Sequence, residues 1–130
     1  MSTAPRRILI VDDEPLIVEV LGDHFRASYT IDTARNGAEA LAAVRQARPD
    51  IVFLDITMPG MSGLEVLKEI RTLDPTIAIV MVTANEHVAL AAEAIKSGAV
   101  SYVPKPFDLR YLDHLVAELV ANRSRPGRPR

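Results

Sequence analysis

A chain of 130 residues, with 48% apolar and 25% charged residues, is long enough to bury one sizeable core, so we predict a single globular domain. Its net charge of −2 gives no overall attraction to nucleic acid or to an anionic membrane. The absence of cysteine excludes a disulfide framework, a thiolate zinc site and a cysteine nucleophile. Because no apolar run approaches the length of a signal-peptide core or a membrane span, we expect a cytoplasmic location.

Short apolar runs alternate along the chain with segments whose apolar residues recur at helical spacing. The runs are mostly rich in β-branched residues and typical of strands, at 8–11, 29–34, 51–54, 77–82 and 99–103. Helix-boundary signals lie between them, at Pro15, Ser62 with Glu65, Asn85, Gly98 and Asp108. Strict alternation of strand and helix predicts a parallel sheet with helices on both faces. The second run alternates in polarity and contains Asp32, which predicts an edge strand.

Polar side chains recur where the predicted strands end. These residues are Asp12 and Asp13 after the first strand, Asp55 at the third, Thr83 at the fourth and Lys105 at the fifth. Because the carboxyl ends of parallel strands lie along one edge, we expect all five to converge there. Taken singly, each is an ordinary turn, cap or surface residue. Their equivalent places in four strand–helix units are not required by turn chemistry and indicate a shared site.

The chemistry of this set favours a phosphoryl site. Three carboxylates in one pocket repel one another unless a cation intervenes, and Mg²⁺ is the cation that prefers such oxygen ligands. With the metal bound, Asp55 remains a nucleophile that can carry an aspartyl phosphate. The Lys105 ammonium can then neutralise one phosphoryl oxygen, and the Thr83 hydroxyl can donate to another.

The motifs that contain these residues resemble the receiver domain of bacterial two-component response regulators. They are the acidic pair after ILIV, LDITMPGMSG around Asp55, VTA at 82–84, KSGA at 96–99 and YVPKPF at 102–107. The resemblance covers about 6 to 121 and implies a flavodoxin-like (βα)5 three-layer sandwich with strand order 2-1-3-4-5. It also implies Mg²⁺ held by Asp12, Asp13, Asp55 and the backbone carbonyl of Thr57, and a cis bond between Lys105 and Pro106.

The resemblance further implies how such a domain signals. A sensor histidine kinase or a phosphotransfer protein would phosphorylate Asp55, and Thr83 and Tyr102 would act together as a switch. The changed surface would be that of the fourth helix, fifth strand and fifth helix, which would control an effector domain or protein, with a phosphorylation-dependent homodimer as a further option. Thr57 and Asn85 would lie beside the phosphoryl group and tune its lifetime.

An alternative function is an Mg²⁺-dependent aspartyl-phosphate phosphatase or phosphotransferase acting on small molecules. Enzymes of that kind resemble the haloacid dehalogenase superfamily, which places a second aspartate two residues after the nucleophile. Thr57 occupies that position here, and no insertion is long enough to form a cap over a substrate. A flavin site is also disfavoured because the crevice is acidic. The sequence therefore favours a switch that catalyses only its own phosphorylation and dephosphorylation.

The remaining polar features receive no catalytic role. The histidines, His24, His87 and His114, lack metal-ligand spacing with the acidic cluster and are expected to be solvated or to face a partner. Gly60 and Gly63 serve the turn before the third helix and form no phosphate-binding loop. We divide the chain into a receiver domain at 1–121 and a tail or linker at 122–130. The tail arginines, Arg123, Arg125, Arg128 and Arg130, are expected to be solvated rather than bound to nucleic acid.

Overall fold

The computed structural model describes residues 6–84 and 88–124. Over these residues strands alternate strictly with helices. The strands are β1 (Arg7–Val11), β2 (Thr30–Ala34), β3 (Ile51–Leu54), β4 (Ala78–Ala84) and β5 (Ser101–Lys105). The helices are α1 (Pro15–Phe25), α2 (Gly37–Gln46), α3 (Gly63–Leu73), α4 (Val88–Lys96) and α5 (Leu109–Ser124). Every strand predicted from the sequence is confirmed within two residues at either end.

The sheet is parallel, with the strand order β2-β1-β3-β4-β5. Its interior strands are continuously apolar, and all four residues of β3 are buried. Strand β2 lies at an edge, as predicted, and most of its residues are partly exposed. Asp32 of this strand pairs with Arg7 of β1 through an oxygen–nitrogen distance of 2.6 Å, so the charge in the edge strand is compensated locally.

Two apolar cores lie on opposite faces of the sheet because successive side chains of a strand point to opposite sides. Helices α2, α3 and α4 cover one face, which includes Leu54 of β3 and Met81 of β4. Helices α1 and α5 cover the other face, which includes Phe53 and Val80. The predicted three-layer sandwich with helices on both faces is therefore confirmed.

Most of the predicted helix boundaries carry the expected capping interactions. Pro15 is the first residue of α1, and both hydrogen bonds of the Ser62–Glu65 capping box are present. The Asp108 carboxylate accepts the backbone N–H of Arg110 at 2.8 Å at the start of α5. Asn85 lies outside the described residues. The cap of α2 went unrecognised: the side chain of Asn36 accepts the backbone N–H of Glu39 at 2.9 Å.

Gly98 ends α4 in a left-handed conformation, with φ of 114°. The next residue, Ala99, still donates its N–H to the carbonyl of Ala94 at 3.0 Å, so the chain has not yet left the helix end. Strand β5 consequently begins at Ser101, two residues later than its apolar run predicts.

The ends of the apolar patterns also differ from expectation. In α1, Leu21 and Phe25 are buried, whereas Leu16 is 68% exposed and Val20 is 37% exposed. Helix α5 continues to Ser124, three residues beyond the predicted end of the domain at 121, so the division falls within a helix. Tail residues 125–130 lie outside the described part of the chain.

Among the described residues, no helix is both long and apolar enough to cross a membrane.

Candidate functional site

Two buried acids lie just beyond the carboxyl ends of neighbouring central strands. Asp12 follows β1 and is 2% exposed, and Asp55 follows β3 and is 5% exposed. Backbone hydrogen bonds extend the sheet to both residues: the Asp55 N–H donates to the Val11 carbonyl at 3.0 Å, and the Asp12 N–H donates to the Ala34 carbonyl at 3.1 Å. The sheet itself therefore fixes the position of each carboxylate.

The loop after Asp55 is held tightly against the start of α3. The Gly63 N–H donates to the Ile56 carbonyl at 2.7 Å. A Cβ atom on Gly63 would lie 2.6 Å from the Ile56 Cα and would also collide with the Asp55 carbonyl, so only glycine fits there. Gly60 has φ of 79°, a conformation that side chains disfavour. Both glycines serve this turn, as predicted, and together they fix the loop that carries Asp55.

Asp12, Asp13 and Asp55 each offer a carboxylate oxygen, and these oxygens lie within 4.8 Å of one another. Asp13 is exposed, whereas the other two are buried. A cluster of hard oxygen donors that is open to solvent on one side suits Mg²⁺, which keeps several of its waters. The donor set therefore fits the expected cation in both chemistry and spacing.

Lys105, the last residue of β5, brings a positive charge to the same cluster. Its Nζ lies 2.9 Å from Asp12 Oδ2, 2.8 Å from Glu14 Oε1 and 3.7 Å from Asp55 Oδ2. The bond from Lys105 to Pro106 is cis, as the resemblance implies. Sequence reasoning missed Glu14 as a partner of this lysine, although its place directly after the acidic pair was a signal for it.

Burial and crowding make both buried acids harder to ionise. The pKa of Asp55 is raised to about 6, chiefly by burial and then by the negative charge of Asp12, against the opposing effect of Lys105. Burial also raises the pKa of Asp12 by more than its hydrogen bonds to Glu14 and Lys105 lower it. Burial lowers the pKa of Lys105, but hydrogen bonds to Glu14 and Asp12 outweigh it and raise that pKa overall. The site thus holds more negative charge than one ammonium balances.

Thr83 and Tyr102 lie on the same face of the sheet in neighbouring strands. Thr83 of β4 is paired in register with Pro104 of β5, and Met81 is paired with Tyr102. Thr83 is fully buried, and its hydroxyl has no hydrogen-bond partner among the described residues. Tyr102 is partly buried and packs against the core beneath α4. A buried hydroxyl without a partner costs about 1–3 kcal/mol, so the hydroxyl of Thr83 is an unused hydrogen-bond donor on this face of the sheet.

Other predicted residues lie apart from this cluster or outside the described chain. Thr57 is exposed, and its backbone N–H donates to Asp55 Oδ1 at 3.3 Å. Asn85 and His87 lie in the undescribed gap. His24 is partly exposed, and its Nε2 lies 2.7 Å from Asp113 Oδ1, a contact that links α1 to α5. His114 is exposed on α5.

Comparison with known proteins identifies the family. The family model for the response regulator receiver domain matches residues 8–117. The chain is 37% identical over 124 residues to the probable transcriptional regulatory protein TcrX of Mycobacterium tuberculosis, covering 95% of this chain and 52% of TcrX. It is 41% identical over 104 residues to the chemotaxis protein CheY of Thermotoga maritima, covering 78% of this chain and 87% of CheY.

A solved structure agrees with these relatives. The response regulator protein TrrA of Thermotoga maritima, crystallised in complex with Mg²⁺-BeF, superposes with a TM-score of 0.78 at 43% identity, covering 88% of this chain and 98% of TrrA. Among the curated relatives, the chain spans about half the length of TcrX. A family match over most of the sequence, on a sheet with the predicted strand order, leads to one conclusion: the chain belongs to the response regulator receiver domain family.

Proposed function

We propose that this domain is a signalling switch that is activated by phosphorylation of Asp55. The observation that carries the proposal is a buried carboxylate at the carboxyl edge of the sheet, with two further carboxylates within 4.8 Å and the Lys105 ammonium 3.7 Å away. The phosphoryl donor is a sensor histidine kinase or a phosphotransfer protein. We place the domain in the cytoplasm, where such a kinase presents its phosphohistidine.

In the transfer step, one oxygen of the ionised Asp55 carboxylate attacks the phosphorus of phosphohistidine. A phosphorus–oxygen bond forms as the phosphorus–nitrogen bond breaks, and the imidazole leaves with the electron pair. Lys105 neutralises one phosphoryl oxygen, and the Thr83 hydroxyl donates to another. Asp12, Asp13, Asp55 and the carbonyl of Thr57 would hold Mg²⁺, which would supply the positive charge that offsets the crowded anions.

Two positions beside the acceptor are proposed to set how long the phosphoryl group persists. The side chains of Thr57 and Asn85 are polar and uncharged, so they can orient a water molecule but cannot act as a carboxylate base. Thr57 is exposed, and its backbone is tied to Asp55. We therefore infer that the aspartyl phosphate of this domain has a lifetime that is intermediate among members of the family.

The output surface is proposed to be that of α4, β5 and α5. Three large apolar side chains are exposed on these elements and the turn between them, Ile95 at 45%, Val100 at 49% and Tyr111 at 50%. We infer that these exposed apolar side chains contribute to a protein contact surface. The partner is an effector domain or protein, or a second phosphorylated copy of the chain. We infer no direct nucleic-acid binding by this domain, because a net charge of −2 gives it no overall attraction to phosphate groups.

Intact-protein mass spectrometry tests the acceptor. Treatment with acetyl phosphate and Mg²⁺ should add one phosphoryl group to the parent chain and none to Asp55→Asn, because an amide is not an anionic nucleophile. Asp23→Asn, which removes an exposed acid on α1, is the matched control and should be modified like the parent. A phosphoryl group retained by Asp55→Asn at the parent level would place the acceptor elsewhere. Continuous release of phosphate from varied small donors would instead favour the phosphatase alternative.

A further inference from the structure

A groove outside the acidic cluster runs between α2 and the loop that follows β3. Its volume is about 840 Å³, which is within the range of known ligand sites. The wall formed by the loop contains Pro59, Gly60 and Met61, and the wall formed by α2 contains Leu41. None of the carboxylates near Asp55 lines it.

The apolar parts of both walls are held in place by the core. Leu41 is only 9% exposed and belongs to the core beneath α2, and Met61 packs against that core. A Cβ atom added to Gly37 would lie 2.9 Å from the Met61 Sδ, so the start of α2 and the loop are in close contact. The groove is therefore built from packed elements and does not require a rearrangement to form.

A cation lies toward each end of the groove. Arg35 immediately precedes the cap of α2, and Arg45 lies in its last turn. The eight helical steps from Gly37 to Arg45 cover about 12 Å along the axis of α2, and Arg35 lies beyond the extended cap residue Asn36. Arg35 is 75% exposed, and among the residues that the structure describes only Glu39, at 4.0 Å, offsets its charge. Within the described part of the chain, no hydrogen bond or ion pair engages the guanidinium of Arg45.

We propose that this groove binds a short, extended acidic peptide segment of a partner protein. In an extended chain, alternate residues share one face and lie about 7 Å apart, so acidic residues at the first and fifth positions span roughly 13 Å. That span is close to the length of α2 that lies between Arg35 and Arg45, whereas one small anion would reach only one of them. An apolar side chain at the third position would rest on Leu41 and Met61. This assignment does not depend on phosphorylation of Asp55.

Chemical-shift titration of the full chain, without Mg²⁺ or phosphodonor, tests the proposal. The probe is an acetylated, amidated pentapeptide, Glu-Ser-Leu-Ser-Glu, added to ¹⁵N-labelled protein at low ionic strength. Saturable amide shifts are expected at 35–45 and 59–61. Arg45→Gln should weaken the apparent affinity by about fivefold or more, because a charge-assisted hydrogen bond is lost. Arg110→Gln, the same change on α5 at the opposite sheet face, should weaken it less than about twofold.

Peptide variants make the outcome independent of any change in the protein. Replacing both glutamates by lysine, or the leucine by serine, should remove the saturable shifts. Three results would overturn the proposal. The first is no saturable shift at the groove with the parent peptide, and the second is that Arg45→Gln and Arg110→Gln weaken its binding equally. The third is that the peptide with serine in place of leucine binds as tightly as the parent peptide. Inorganic phosphate producing the same shifts in the same concentration range would also overturn it, because the groove would then be a site for a free anion.

Discussion

At the residue scale, the Asp55 carboxylate, which is the proposed phosphoryl acceptor, also destabilises the fold. The pKa of Asp55 is raised from 3.8 to about 6, first by burial and then by the charge of Asp12. The folded state therefore binds this proton more tightly than the unfolded state does. The free energy of unfolding therefore falls as pH rises between about 4 and 6, because Asp55 must then ionise in its buried site. Above that range the full destabilisation by the ionised carboxylate is present.

Asp55→Asn should therefore stabilise the metal-free protein at neutral pH. A shift of about two pKa units corresponds to about 3 kcal/mol, which we expect as an upper value for the gain in unfolding free energy at pH 7.5. At pH 4 the gain should fall below about 1 kcal/mol, because the folded parent is already protonated there. Urea unfolding at both pH values, in a chelator, measures the difference. A gain of the same size at the two pH values would contradict the burial argument.

At the scale of elements, Arg71 joins segments that the sheet does not connect. From the last turn of α3, its Nη1 donates to the carbonyls of Pro75 at 2.7 Å and Ile77 at 2.8 Å, and its Nη2 donates to the carbonyl of Gly98 at 2.7 Å. The first two carbonyls belong to the connection into β4, and the third belongs to the turn between α4 and β5. One half-buried guanidinium thus ties the end of α3 to the turn that precedes the proposed output surface.

Arg71→Met should destabilise the domain by about 2–3 kcal/mol, because it leaves three carbonyls without their charge-assisted donors. Amide hydrogen exchange at 97–100 should become faster than the loss of overall stability explains. Exchange in β2 should increase only by the amount that the lower free energy of unfolding predicts. Arg48→Met is the matched control: Arg48 is 49% exposed and pairs with Asp74 at 3.1 Å, so its loss should cost less than about 1 kcal/mol. Equal losses from the two substitutions would show that Arg71 is an ordinary surface charge.

Local patterns account for what could be predicted at this scale. Strand runs and helical spacing follow from burial, and the carboxyl edge brought Asp12, Asp55 and Lys105 together because parallel topology alone requires it. The contact of Lys105 with Glu14 had only a weak signal, the place of Glu14 directly after the acidic pair, because Glu14 is the N-cap residue of α1 and lies beyond the strand end that parallel topology fixes. The contacts of Arg71 are with backbone carbonyls, which leave no signal in side-chain spacing.

At the scale of the whole molecule, the proposed function requires a signal to pass from Asp55 to the surface of α4, β5 and α5. Thr83 has a buried hydroxyl without a partner, and Tyr102 is partly buried on the same sheet face, one strand away. If Thr83 moves to donate to a phosphoryl oxygen, the space it leaves favours an inward position of the Tyr102 ring. Phosphorylation can shift this equilibrium only by interacting differently with the two arrangements, and the Thr83 hydrogen bond supplies that difference.

Beryllium fluoride with Mg²⁺, a mimic of the phosphoryl group, should therefore shift amides both near Asp55 and across 88–111. In Thr83→Ala, the shifts near Asp55 should persist while those at 88–111 shrink to less than about half, because the hydroxyl that links the two regions is gone. Thr72→Ala removes an exposed hydroxyl that bonds only the Lys68 carbonyl on α3, and it should leave both sets unchanged. Remote shifts of full size in Thr83→Ala would mean that the signal travels by another route, through the backbone of the site loops rather than through this pair.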